Sequence, residues 1–177
     1  MESGQDWKIA ALTYNIYVHF FVGDIMNDKI FFMNMAIKEA IKAYKKKEVP
    51  VGCIIVKNNE IIAKSYNSKE KSKKAINHAE IKAIAKACKK NNDWRLNECE
   101  IYTTLFPCPM CAGAIQEARI AKVYYISSTN NKNNYYISKK ILSSYCCKIE
   151  RINLKCNILD NFFFEIRKRN VSRETLK

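Results

Sequence analysis

An imidazole, two thiols and a carboxyl stand at spacings that suit metal-assisted hydrolysis. His78-Ala79-Glu80 is followed downstream by Pro107-Cys108-Pro109-Met110-Cys111. One nitrogen and two sulfurs make a borderline-soft donor set that suits Zn²⁺. Three protein ligands leave one tetrahedral position for water, and zinc lowers the pKa of that water towards about 7, so a nucleophile is available near neutral pH. Glu80, two positions past the imidazole, needs no bond to the metal. It can take a proton from the water and return it to a leaving group. His78, Cys108 and Cys111 therefore read as the ligands of one zinc per chain, and Glu80 as the catalytic residue. The alternative is a closed site in which Cys146 or Cys147 adds a fourth ligand and the ion only braces the fold, leaving Glu80 without a purpose. His19, in an aromatic stretch, reads as packed or surface, and Cys53, Cys88, Cys99 and Cys156 as small apolar fillers.

To bring these side chains together the chain must set two helix N-termini side by side, where the dipoles favour thiolates and a developing anion. The flanking patterns supply such elements. Met33, Ile37, Ala40, Ile41 and Tyr44 recur at helical spacing over Met33 to Lys47. Val51 to Val56 and Glu60 to Tyr66 are β-branched runs around Lys57-Asn58-Asn59, where Asn tolerates the positive φ of a tight hairpin. Ser68 to Lys74 reads as a lysine-rich loop, and Asn77 as the cap of a helix from His78 to about Lys90. Ile101 to Leu105 reads as a buried strand, stopped by Phe106-Pro107, with Pro107 or Pro109 opening a helix to about Arg119. Then follow a strand over Lys122 to Ser127, an Asn-rich loop over Asn130 to Asn134, a helix over Tyr135 to Ser144, a strand over Lys148 to Asn153 and a helix over Leu159 to Arg169. After the hairpin, strand and helix alternate, which predicts a layered α/β fold with helices on both faces of a central sheet.

Composition bounds the rest. A chain of 177 residues with 48% apolar content and only 4 Gly and 3 Pro is a folded domain and excludes low-complexity or collagen-like classes. Lys and Arg outnumber acids 31 to 17, a formal charge of +14 that suits a polyanionic partner. A coding bias towards Asn, Lys and Ile would leave the same lysines as ordinary solvated charges. The 8 Cys are too few and too irregular for a disulfide scaffold, which points to a reducing, intracellular compartment. The longest uncharged stretch, Ile9 to Gly23, is shorter than a bilayer span and contains Thr13, Asn15 and His19, so neither a membrane anchor nor a secretory leader is expected. Residues 1–32 read as an N-terminal extension, 33–170 as the catalytic domain and 171–177 as a tail.

Beyond the two metal motifs, whose combination is the signature of zinc deaminases acting on a base held outside its stack, the likeness is wider. Glu48-Val49-Pro50-Val51-Gly52, Tyr66-Asn67, His78-Ala79-Glu80-Ile81, Trp94-Arg95-Leu96, Tyr102-Thr103-Thr104-Leu105, Pro107 to Ile115 and Ala118-Arg119-Ile120 all contribute. From about Met33 to Asn170 the chain resembles the bacterial tRNA-specific adenosine deaminases of the cytidine deaminase-like superfamily. The resemblance implies a three-layer α/β/α sandwich with a mixed sheet of about five strands. It also implies conversion of the wobble adenosine of a tRNA anticodon loop to inosine, a homodimer and a cytoplasmic setting. It puts Asn67, Ala79, Val51, Glu48 and Pro107 at the substrate, with Asn67 hydrogen-bonding the turned-out base and the backbone near Ala79 fixing it. The chain departs from the pattern twice. Phe106 stands where the family usually has Glu before Pro-Cys, so a carboxylate that would orient the metal ligands is replaced by a ring that can pack or stack near the pocket. Ser127 to Asn134 replaces an Asp and a Gly-Ser-containing loop that normally helps bind RNA.

Two other functions fit parts of the pattern. A free base or nucleoside of cytosine or guanine type would use the same two motifs. A non-catalytic, zinc-braced subunit would bind RNA or a partner without needing Glu80. Lys69, Lys71, Lys73, Lys74, Arg167, Lys168, Arg169 and Arg173 are the candidate phosphate contacts.

Overall fold

The computed structural model describes residues 28–128, 131–145 and 147–174, with side chains as far as 168. Five strands, β1 (Gly52–Lys57), β2 (Glu60–Tyr66), β3 (Cys99–Leu105), β4 (Lys122–Ser127) and β5 (Lys148–Arg151), form one mixed sheet in the order β2-β1-β3-β4-β5. The β1–β2 and β1–β3 pairs are antiparallel; β3–β4 and β4–β5 are parallel. Six helices are described: α1 (Asp28–Lys45), α2 (Lys69–Ser72), α3 (Ala79–Asn91), α4 (Pro109–Glu117), α5 (Lys132–Ser143) and α6 (Ile158–Glu174).

Strand alternation divides the core in two. Cys53, Ile55, Ile101, Val123 and Tyr125 face one side, where Ala79, Ala83 and Ala87 of α3, Ala112 and Ile115 of α4 and Leu142 of α5 cover them. Ile54, Val56, Tyr102, Tyr124 and Ile126 face the other, under Phe32, Met33, Ala36 and Ile37 of α1. α6 lies on α1, with Phe162 against Tyr44 and the Tyr44 hydroxyl donating to Glu165 at 2.6 Å. The expected three-layer sandwich is therefore present. Alanine on α3 is a packing choice: small side chains let the helix sit close to the sheet. Gly52 serves the same end on the opposite face, since a Cβ there would lie 2.0 Å from the Ala36 carbonyl oxygen and 2.3 Å from the Ala40 nitrogen.

The hairpin turn has positive φ at both Asn58 (49°) and Asn59 (59°), as the Asn pair requires. Several boundaries differ from the sequence reading. α1 begins at Asp28, so Phe31 and Phe32, read above as part of an extension, belong to the helix, and Phe32 is in the core. Residues 1–27, with His19, lie outside the described residues. Lys69 to Ser72, read as loop, close one helical turn. α5 starts at Lys132, where the Asn131 side chain accepts from the Asn134 N–H at 3.0 Å, and α6 continues past Arg169 to Glu174. Among the described residues no helix is long and apolar enough to cross a membrane.

Candidate active site

The N-cap of α3 is His78 and that of α4 is Cys108. Asn77, the stronger capper by residue type, is instead drawn into the preceding loop, where its amide donates to Ser72 Oγ at 2.8 Å. Neither N-cap side chain makes a capping hydrogen bond. Both turn towards each other: His78 Nδ1 lies 3.6 Å from Cys108 Sγ and 3.5 Å from Cys111 Sγ, and the three donor atoms fall within 4.8 Å of one another. Cys111 belongs to the first turn of α4, one turn on from Cys108, so the Cys-x-x-Cys spacing sets both sulfurs on one side.

The donor set fits zinc. Tetrahedral coordination with Zn–N and Zn–S bonds of about 2.0 and 2.3 Å separates N from S by about 3.5 Å, close to the 3.5 and 3.6 Å found here. The three-residue cluster does not include Cys147 among the described residues, and Cys146 lies outside them. In the protein alone, the Cys111 thiol donates to the Cys108 sulfur, which brings Cys108 down to about 4 and leaves Cys111 far above the ordinary thiol range. The bond to Cys108 also raises the His78 imidazole. Such a charged, shared-proton cluster offers a cation two sulfurs and one nitrogen.

Glu80, in the first turn of α3, is 4% exposed. Burial pushes its carboxyl up to about 7, opposed by the backbone N–H bond of the helix start. A buried carboxyl poised near neutrality can both accept and release a proton. It lines a cavity of about 180 Å³ together with His78 and Cys108, walled by Val51, Asn67, Ala79 and Phe106. One water needs only about 10–15 Å³ on such a scale, so a planar ring has room.

Of the residues placed at the substrate from sequence, Val51, Asn67 and Ala79 line this cavity, whereas Glu48 and Pro107 are not among the lining residues. Glu48 sits behind the wall, 1% exposed. Its carboxylate accepts from the N–H groups of Lys71 at 2.7 Å and Glu70 at 3.0 Å and from the Asn67 amide at 3.4 Å. It thus caps α2 from outside, because the Ser68 N-cap makes no side-chain bond to that helix. Pro107 is buried between Phe106 and Cys108. Lysine-rich residues surround α2: Lys69 reaches the cavity lining, and Lys71, Lys73 and Lys74 are exposed on the same segment. Arg167 and Lys168 sit on α6, in the opposite layer, and the side chains of Arg169 and Arg173 are outside those described.

Sequence reasoning missed the cavity roles of Val49, Leu105 and Asn134. Val49 and Leu105 lie inside quoted motifs and were within reach, whereas Asn134 is marked only as the end of the altered 127–134 segment, with nothing to single it out within that run. Phe106, singled out only as a departure, is a wall residue, 2% exposed, with ring centroids 4.8 Å from Tyr125 and 4.5 Å from Tyr135. It packs, as one of its two readings allowed.

Comparison with known proteins agrees with this geometry. Residues 26–127 match the cytidine and deoxycytidylate deaminase zinc-binding region. The chain is 38% identical over 151 residues to a tRNA-specific adenosine deaminase of Streptococcus pyogenes serotype M1, covering 81% of this chain and 88% of that one. Among solved structures, one from a study of A-to-I editing by tRNA:A34 deaminases at the wobble position of transfer RNA superposes with a TM-score of 0.63 at 33% identity, covering 68% of this chain and 91% of that one. The guanine deaminase of Bacillus subtilis gives 0.55 at 30% identity, covering 77% and 92%. A His-Cys-Cys cluster on two helix starts, a buried carboxyl beside it and similarity over most of the chain together place this protein in the zinc-binding cytidine and deoxycytidylate deaminase family, among its tRNA-specific adenosine deaminases.

Proposed function

We propose that the protein hydrolyses adenosine to inosine at the wobble position of a tRNA anticodon loop, with His78, Cys108 and Cys111 holding one zinc ion per chain and Glu80 as the catalytic residue. The observation that carries this reading is a cavity lined by His78, Cys108 and the buried Glu80, with Cys111 Sγ behind it 3.5 Å from His78 Nδ1, in a chain related to tRNA-specific adenosine deaminases over most of its length.

Bound zinc supplies Lewis acidity that lowers the pKa of water and makes it a nucleophile towards C6 of adenine. Glu80 takes a proton from the attacking water, delivers it to the ring nitrogen beside C6, and passes the second to the departing amine, so that water and adenosine become inosine and ammonia. Burial, which holds this carboxyl near neutrality, suits both halves of the transfer. Asn67 offers its amide to the base, and the buried backbone at Ala79 supports the base edge nearest Glu80. Val51 and Phe106 wall the ring and exclude water. Glu48 acts one step back, fixing Asn67 and the turn that carries Lys69. Lys69, Lys71, Lys73 and Lys74 meet the RNA backbone.

A homodimer is part of this proposal. It is supported by Ile76 and Met110, 59% and 39% exposed on the segments that carry His78 and Cys108. Cytoplasmic residence is also part of this proposal, supported by the proposed tRNA substrate. The similarity to a guanine deaminase keeps a free base as the second reading. Incubating the purified chain with tRNA and, separately, with adenosine, cytosine and guanine separates the two. Inosine mapped by sequencing to the wobble position alone is the expected result, and turnover of a free base with tRNA untouched contradicts it.

A further inference from the structure

The cavity has two kinds of wall. Val51, Asn67, Ala79, Glu80 and Phe106 are buried, whereas Lys69 and Asn134 are exposed and stand at the entrance, one on α2 and one in the first turn of α5. A nucleotide that sends its base into such a cavity leaves sugar and phosphate at the mouth. A lysine there meets the phosphate. A carboxamide, which both donates and accepts, matches a sugar hydroxyl.

Among the described residues α5 gives the lining one side chain, Asn134, whose carboxamide has no hydrogen-bond partner there. Its backbone is fixed from two sides. Asn131 Oδ1 accepts the Asn134 N–H at 3.0 Å. The next residue, Tyr135, lies on the Phe106 ring at 4.5 Å, and Tyr125 meets the same ring edge-on at 4.8 Å. Phe106 is itself tied by its N–H to the Ser127 carbonyl at 2.8 Å and lies two residues before Cys108. The start of α5 is thus referenced to the metal cluster through a packed ring, and an unpartnered amide is held over the cavity mouth.

We propose that Asn134 is a specificity-determining residue that hydrogen-bonds the 2′-hydroxyl of the target nucleotide, with Phe106, Tyr125 and Tyr135 as its positioning residues. This rests on the RNA substrate proposed above. The 2′-hydroxyl is the group by which a protein tells RNA from DNA, so the contact selects ribose at the entrance.

The test compares the full-length zinc-loaded protein and its N134A variant on two synthetic anticodon stem-loops, one all-ribose and one with 2′-deoxyadenosine at the target position. Wild type is expected to prefer ribose by about tenfold in kcat/KM, the effect of one hydrogen bond. N134A is expected to treat the two alike, through a raised KM for the ribose substrate at unchanged kcat, zinc content and melting temperature. Because the side chain is exposed, the substitution does not threaten folding. Y135L, at a ring that packs on Phe106 without lining the cavity, should raise the ribose KM in the same sense and leave the deoxy KM nearly fixed, which a general loss of stability would not do. A wild type without ribose preference, or an N134A variant that keeps it, overturns the assignment while leaving tRNA deamination standing. A wild type that spares both stem-loops and deaminates free guanine or cytosine overturns the proposed function, and this inference with it.

Discussion

The metal cluster and the cavity entrance are built in different ways. His78 and Glu80 share the start of α3, and Cys108 and Cys111 share the start of α4, so helix geometry fixes each pair and only one tertiary relation, α3 beside α4, remains to be made. The entrance draws on Glu48 after α1, Asn67 and Lys69 around α2, Phe106 after β3, Tyr125 on β4 and Asn134 on α5. The links between these segments are long-range. The difference teaches that the reaction type is carried by two short motifs, whereas the choice of substrate is carried by contacts between segments far apart in the chain.

Substitutions should expose that division. Glu80→Gln keeps the shape and removes the proton carrier, so kcat should fall by about 10²–10⁴-fold with zinc content unchanged; an active Glu80→Gln enzyme would erase the distinction between cluster and entrance. Phe106→Ala empties a buried position against two tyrosines and should cost about 3–5 kcal/mol in chemical denaturation, with KM for an anticodon stem-loop rising. A variant of unaltered stability would mean that the ring does not hold the entrance together. Glu48→Ala strands the N–H groups of Glu70 and Lys71 and should cost about 1–3 kcal/mol. Its kinetic mark should be a higher KM at nearly constant kcat per zinc, and a fall in kcat alone would move Glu48 from the entrance to the chemistry. The smallest effect is electrostatic. Replacing Lys69, Lys71, Lys73 and Lys74 together should flatten the plot of log affinity for single-stranded RNA against log salt by about 0.7 for each phosphate no longer neutralised, and an unchanged slope would remove these lysines from the RNA footprint.

What could be read in the sequence follows the same line. The five strands and the helices on both faces of the sheet are legible in period-2 and helical patterns, which burial imposes locally, and the Asn58-Asn59 turn in the residue type that tolerates positive φ. The metal cluster came from spacing. The start of α3 was misplaced because Asn77 caps better than His78 by residue type, and the structure uses His78 for the cluster instead. The single turn of α2 is invisible in its own lysine-rich residues because its N-terminal N–H groups are satisfied by Glu48, some twenty residues upstream. The resemblance puts Glu48 at the substrate, and its place beside Val49-Pro50-Val51 gives no sign that its carboxylate is bonded to the start of α2. Phe106 and the 127–134 segment stand in the sequence as two separate departures, and only the packing of Phe106 on Tyr135 makes them one feature.

X-ray absorption at the zinc edge of the purified protein tests the central claim most directly. The account predicts one zinc per chain bound by one nitrogen at about 2.0–2.1 Å and two sulfurs at about 2.3 Å, with the remaining ligand a light atom from solvent. A third sulfur, or a fourth ligand supplied by the protein, would contradict it, because the ion would then be a brace with no place for the attacking water.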